Sequence, residues 1–220
     1  MIRLGRRLEA AASLVREGSV AADVGTDHGL LACSLVQSGR SSWAYATDIN
    51  PLPLSKAGET IRANGLGHLA ETVLTDGLTG LAGHGVTDII IAGMGGELIA
   101  SILERAEWTR VESLSFVLQP MTRPEALRAA LAGMGFAIRR EIPVVEGGRA
   151  YTVMLAAFTG EICTLSLEEA WVGPYLAQRS PEGDAYLRKQ RGRLEKMLRG
   201  MSLGTTQCRE YAALIKKMEG

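Results

Sequence analysis

The stretch from Ala137 to Phe158 decides how this chain folds: a β-rich run Ala137–Val145, the linker Glu146-Gly147-Gly148-Arg149, and a second β-rich run Tyr151–Phe158. A parallel neighbour needs a crossover of a dozen or more residues, so a linker this short makes the two runs an antiparallel hairpin. Upstream the rhythm differs. Strand-like runs at Val20–Val24, Trp43–Thr47, Thr72–Leu74, Asp88–Ala92 and Leu114–Leu118 are separated by segments long enough for helices, Leu30–Gln37, Leu54–Asn64 and Glu97–Arg105, with a further one at Pro124–Met134. Alternation of this kind builds a parallel sheet from βαβ units. The expectation is α/β: a seven-stranded, mostly parallel, Rossmann-like sheet closed by an antiparallel hairpin. A dinucleotide-binding domain would normally continue with a sixth parallel strand instead.

Outward from the sheet, residues 4 to 16 read as a helix with Leu4, Leu8, Ala11, Ala12 and Val15 on one face and Gly18 as its stop. After Phe158, Gly160 breaks the sheet, and residues 166 to 218 are helical in composition with breaks near Gly173-Pro174, Ser180-Pro181 and Gly200 to Thr206. Apolar residues at helical spacing around Tyr186–Leu198 and Tyr211–Met218 predict two helices paired as an antiparallel hairpin. This divides the chain into residues 1–160, the sheet with its N-terminal helix, and residues 161–220, the helical hairpin.

Of 220 residues, 46% are hydrophobic and 22% charged, a globular composition, and 24 basic residues balance 24 acidic ones. The whole chain therefore lacks a basic nucleic-acid signature, yet Arg179 to Arg199 holds seven basic residues against three acidic ones. That stripe reads either as a solvated helix face or as a phosphate contact. Three scattered cysteines make neither a disulfide framework nor a Cys-x-x-Cys metal site, no signal-peptide apolar core is present, and no run nears the roughly 18 apolar residues of a membrane span. A soluble cytoplasmic protein without a metal, and a monomer, is expected.

The first strand runs into Asp23-Val24-Gly25-Thr26-Asp27-His28-Gly29. A dinucleotide fingerprint starting at Gly25 would need glycine at 27 and 30, where Asp27 and Leu30 stand, and pyrophosphate would meet the like charges of Asp23 and Asp27. A cationic ligand suits the turn better. The frame Asp23-x-Gly25-x-x-x-Gly29 is the usual one for the ammonium and sulfonium of S-adenosylmethionine, although an ordinary strand-to-helix turn also uses glycine. Asp48, 23 residues beyond Gly25 and followed by Ile49, is placed to accept both ribose hydroxyls. Asp76, beside Gly77, stands where it can accept from an adenine N6 amino group. The fourth strand empties into Gly93-Met94-Gly95-Gly96, where glycines imply a close approach of backbone beside the switch point of the sheet. No Asn-Pro-Pro-Tyr box stands there, so a ring nitrogen such as adenine N1, which needs only positioning and exclusion of water, is a better nucleophile than the exocyclic amine.

Arg7-Leu8, Asp23-x-Gly25-x-Asp27-His28-Gly29, Ile91-Ala92-Gly93-Met94-Gly95-Gly96, Leu118-Gln119-Pro120, Tyr151 and Gly173-Pro174-Tyr175-Leu176 together resemble the bacterial TrmK family over almost the whole chain. The resemblance implies a class I methyltransferase that uses S-adenosylmethionine to methylate N1 of adenine 22 in tRNA, with a C-terminal coiled-coil hairpin that helps hold the tRNA. It implies a cofactor set of Asp23, Gly25, Thr26, Asp27, His28, Gly29, Asp48, Ile49, Asp76, Gly77, Gly93, Met94 and Gly95, with Gly93, Met94 and Gly95 at the methyl-transfer centre. Asp27 is the expected polar contributor, steadying the sulfonium or taking a proton through water. His28 is either a base-edge contact or a satisfied helix-start histidine. Arg7, His28, Tyr151, Arg188, Lys189, Arg191 and Arg193 form the expected RNA-contacting set, although an N-terminal arginine such as Arg7 is more often a solvated charge. Thr152 stands where the family tends to have Glu, and Met121 where a polar residue is common. The rival expectations are a methyltransferase for another RNA, a protein or a small molecule, and an inactive protein that binds the cofactor and RNA.

Overall fold

A computed structural model of the chain describes residues 2–201 and 205–219. Along the sheet-bearing part run α1 (Arg6–Leu14), β1 (Ser19–Val24), α2 (Leu30–Gln37), β2 (Ser41–Asp48), α3 (Pro51–Ala63), β3 (Ala70–Leu74), β4 (Asp88–Gly95), α4 (Gly96–Glu104), β5 (Ser115–Thr122), α5 (Pro124–Gly133), β6 (Phe136–Glu146) and β7 (Arg149–Phe158). The remainder holds α6 (Leu167–Val172), α7 (Pro181–Arg199) and α8 (Thr206–Glu219), with short 3-10 turns at Thr79–Leu81, Glu107–Thr109 and Gly173–Leu176. Residues 202–204 of the expected break between the last two helices lie outside the described residues.

β6 and β7 pair antiparallel from Phe136↔Phe158 to Glu146↔Arg149. Gly147 and Gly148 both take positive φ, 55° and 72°, the conformation of a tight two-residue hairpin turn that side chains with a Cβ resist. β7 also pairs antiparallel with β5, while all other neighbours are parallel, giving the order β3-β2-β1-β4-β5-β7-β6. The order reverses between β1 and β4, which places a crevice at their carboxyl ends.

Alternation along the buried strands sends side chains to two cores. Ala21, Ile90, Val117 and Val153 meet α1, α2 and α3 on one face; Ala22, Ile91, Leu118 and Met154 meet α4 and α5 on the other. Sequence and structure differ mainly at element ends. α3 starts three residues earlier than expected because Pro51 and Pro53 sit in its first turn, where a missing N–H costs nothing. β4 and β5 run on to Gly95 and Thr122, with a register break between Ala92 and Met94.

The C-terminal segment is fastened to the sheet through a third apolar cluster, in which Trp171, Tyr175, Tyr186, Leu194, Tyr211 and Leu214 gather with Ala150 of β7. Beside it lies a buried ion pair. Arg128 of α5 donates Nη2 to Glu141 Oε2 of β6 at 2.6 Å and Nε to Oε1 at 2.8 Å, both side chains nearly inaccessible. Arg128 Nη1 donates to the Ala170 carbonyl at 2.7 Å and to the Tyr186 hydroxyl at 3.1 Å, and the Thr152 hydroxyl donates to Glu141 Oε2 at 2.8 Å. Thr152 therefore belongs to this polar hub.

Candidate active site

The crevice at the carboxyl ends of β1 and β4 holds two adjoining cavities. The first, about 350 Å³, is lined by Arg7, Asp23, Gly25, Thr26, Asp27, His28, Ala92 and Gly93; the second, about 280 Å³, by Gly25, Asp48, Ile49, Asp76, Gly77, Met94, Leu98 and Arg105. Gly25 is common to both.

The turn after β1 is tied to β2, since the N–H groups of Gly25 and Thr26 both donate to the Thr47 carbonyl at 2.8 and 2.9 Å. Thr26 Oγ1 accepts from the Gly29 N–H at 3.0 Å, which closes the turn at the amino end of α2. Gly25 has φ +77°, and a Cβ there would collide with Met94 Cε, so the methionine methyl rests on the bare glycine backbone. Asp23 is buried at the floor of the first cavity, and burial raises its carboxyl to about 6, with Thr26 and the Ala32 amide pulling the other way. Desolvation, reinforced by that same buried charge, lifts the Cys33 thiol to about 11. At the rim, His28 Nε2 stands 3.3 Å from Asp27 Oδ2, with 46% and 78% of their side chains exposed. His28 thus both lines the cavity and has an internal partner.

In the second cavity Asp48 Oδ1 accepts from the Asn50 N–H at 2.7 Å, which fixes the carboxylate at the end of β2. Asp76 is not a free acceptor, because Arg105 Nη1 donates to its Oδ2 at 2.9 Å and Nη2 to Oδ1 at 3.4 Å. Ile49 and Leu98 are exposed apolar side chains on the cavity wall, 59% and 52% accessible. Leu98 and Arg105 were not legible as site residues. Only the placement of α4 beside β3's end brings them there.

Several expected site residues make close contacts within the fold. Gly29 lines neither cavity; the space a Cβ would take is filled by Ala57 of α3 at 3.0 Å. Gly95 also lines neither, and a Cβ on Gly96 would run into the Arg123 carbonyl oxygen. The close approach behind those two glycines is thus the protein's own β5–α5 turn. Only Gly93 of that string, at φ +86° with open space beside it, faces the first cavity.

The expected RNA-contacting set is spread more widely. Arg7 is no solvated charge: it pairs with Glu146, donates Nη1 to Gln119 Oε1 at 2.9 Å, and stacks over Tyr151, centroid distance 5.2 Å. Tyr151 is 7% exposed and also lies under Lys189 Nζ at 4.6 Å, so its ring is committed to the interior. Lys189 donates to the Ala150 carbonyl at 2.6 Å, and burial, reinforced by Arg193 and Arg149, lowers its pKa. Arg193 forms a two-pronged pair with Glu125, both contacts 2.8 Å, and stacks over Trp171. Arg191 pairs with Glu195 at 3.4 Å. Lys189 and Arg193 thus have partners inside the fold, and Arg191 has a surface partner, alongside any contact with RNA. Arg188 remains exposed with no ion pair among the described residues.

Fold and crevice together define a class I methyltransferase, and residues 4–154 match the family described as "Methyltransferase domain". The tRNA (adenine(22)-N(1))-methyltransferase of Bacillus subtilis is 32% identical over 185 residues, 80% of this chain and 76% of the relative. The crystal structure of the B. subtilis m1A22 tRNA methyltransferase TrmK superposes with a TM-score of 0.85 at 25% identity, covering 100% of this chain and 98% of that one. M. capricolum TrmK in complex with S-adenosyl-homocysteine gives a TM-score of 0.80 at 25% identity, covering 98% of this chain and 96% of that one. The chain belongs to the TrmK family of tRNA (adenine(22)-N(1))-methyltransferases.

Proposed function

We propose that this protein transfers the methyl group of S-adenosylmethionine to N1 of adenine 22 in tRNA, in the cytoplasm. The observation that carries the reading is the sequence of acids along one crevice, Asp23, Asp48 and Asp76 at the ends of three successive strands, in a chain of the TrmK family. Those residues fit the cofactor. Asp23 offers a buried carboxylate to an ammonium, Asp48 keeps one oxygen clear of its Asn50 contact for a ribose diol, and bare Gly25 leaves room between the two cavities. Ile49 and Leu98 supply apolar walls for an adenine ring, with Asp76 shared between its amino group and Arg105.

The bound cofactor supplies an electrophilic methyl on a positive sulfur, and the adenine N1 lone pair forms the new C–N bond as the S–C bond breaks. The protein's part is placement. Gly93 leaves the first cavity open toward the donor, Met94 packs against Gly25 beside it, and Asp27 at the rim faces the positive charge that moves onto the base. Asp27→Ala is expected to lower turnover about tenfold or more while S-adenosylhomocysteine still binds, as removal of one acid–base or electrostatic contributor does; full turnover in that variant rules the role out.

We further read residues 1–160 as the catalytic domain and 161–220 as a domain in which α7 and α8 form an antiparallel coiled-coil hairpin that contacts tRNA. Arg188, Lys196 and Arg199 are the exposed cations on α7 left for that contact. Incubation with transcribed tRNA and labelled S-adenosylmethionine, followed by nucleoside mapping, tests the assignment: label is expected in 1-methyladenosine at position 22, and label elsewhere overturns it.

A further inference from the structure

Pairing between β4 and β5 passes from Ala92↔Gln119 directly to Met94↔Pro120, so Gly93 bulges out with no partner of its own in the ladder. Pro120 has no N–H to offer, and a proline inside a central strand is tolerated at such a bulge. The Gly93 N–H is captured by a side chain instead: Gln119 Oε1 accepts it at 3.2 Å. Gln119 is fully buried, and its Nε2 donates to the Pro120 carbonyl at 3.1 Å, which turns the oxygen toward Gly93. The same oxygen accepts from Arg7 Nη1 at 2.9 Å. Arg7 in turn is held by Glu146 of the hairpin and by the Tyr151 ring, and its Nη1 lies 3.1 Å from Met121 Sδ.

We infer that Gln119 and Arg7 are positioning residues for methyl transfer: they brace Gly93, the residue that pairing between β4 and β5 skips. The inference rests on the proposed reaction for its meaning but on the hydrogen bonds for its geometry. A glycine at φ +86° with nothing beside it has no steric restraint of its own, so its placement depends on where its N–H is held. Arg7 is suited to this because a planar guanidinium serves several acceptors at fixed angles, whereas a lysine ammonium on a flexible stem does not present that fork. Gln119 lies outside either cavity, whereas Arg7 also lines the first.

The test compares Gln119→Leu, Gln119→Glu, Arg7→Met and Arg7→Lys with the parent protein. Three quantities are read: amide exchange at Gly93 by nuclear magnetic resonance, S-adenosylhomocysteine affinity by calorimetry, and kcat and KM on tRNA. With Gln119→Leu and Arg7→Met, Gly93 exchange is expected to quicken by roughly tenfold or more. In the same variants kcat falls about 10- to 100-fold, the scale of a misplacement near 1 Å, and in Gln119→Leu, whose side chain lines neither cavity, KM for tRNA and cofactor affinity change by less than about threefold. Gln119→Glu, which keeps an acceptor oxygen, and Arg7→Lys, which keeps a charge, are expected to restore both quantities in part. Should Gln119→Leu fail to fold, the Arg7 pair decides alone. Unchanged Gly93 exchange, or faster exchange with unchanged kcat, overturns the brace. A parent protein inactive on tRNA instead overturns the functional reading, and exchange at Gly93 still decides whether the brace exists.

Discussion

Asp23 is a carboxylate the fold makes expensive. Its folded pKa, about 6, lies above the ordinary 3.8, so its contribution to stability is whole below 3.8 and is lost as the pH rises through 6. A shift of that size corresponds to about 3 kcal/mol held in a buried charge at neutral pH. Asp23→Asn is therefore expected to melt several degrees higher than the parent at pH 7.5, with the difference vanishing near pH 4, and to bind S-adenosylhomocysteine more weakly at pH 7.5. Calorimetric melts across that range check the sign. Gly25 is constrained differently, by φ +77° and by Met94 Cε occupying the place where a Cβ would sit. Gly25→Ala is expected to weaken S-adenosylhomocysteine binding by about tenfold or more, and Met94→Ala in the same chain to return only part of that, because backbone strain of about 1–3 kcal/mol persists after the clash is relieved. Titration of the single and double variants measures the split.

At the scale of elements, the clearest case is the entry to α4. Its first residue, Gly96, touches the backbone of the β5–α5 turn, where Arg123 adopts φ +53°, the positive-φ conformation that non-glycine residues avoid. Gly96→Ala must push that turn away, at a cost of about 1–3 kcal/mol typical of overpacking, readable in a urea melt. The strands were legible because alternation and β-branched content depend on neighbours close in the chain, and the hairpin because a four-residue linker has so few geometries. The glycine string was legible as a close approach, but its partner was not: Arg123 lies 27 positions from Gly96 in the sequence and reaches it only once β4 and β5 pair. The same limit hid the fate of Arg193, whose acceptor Glu125 sits on α5. Composition counts a cation; tertiary docking decides whether it is available.

Across the molecule, the Arg128–Glu141 pair ties α5 and β6 to α6 and α7. Burial opposes the charge on Arg128, but the Glu141 carboxylate beside it, with the Tyr186 hydroxyl accepting from it, keeps the guanidinium protonated. Arg128→Met leaves Glu141 buried without its partner and is expected to cost about 3–5 kcal/mol, whereas Arg191→Ala, on the surface pair with Glu195, should cost well under about 1 kcal/mol; denaturant midpoints compare them. For RNA, the informative changes are at α7's exposed cations. Arg188→Glu with Lys196→Glu and Arg199→Glu is expected to weaken tRNA binding and flatten its salt dependence by roughly 0.7–0.9 in log–log slope for each phosphate no longer neutralised, leaving S-adenosylhomocysteine affinity intact.

The buried Arg128–Glu141 pair also bears on how such a chain can change over generations. A C-terminal segment attached by a flexible linker could be lost, swapped or duplicated while the catalytic part persisted. Here the Ala170 carbonyl and the Tyr186 hydroxyl accept from Arg128, so losing the segment would leave the guanidinium to Glu141 alone and open the pair to water. The C-terminal segment is therefore part of the packing around the Arg128–Glu141 pair rather than an appendage to it.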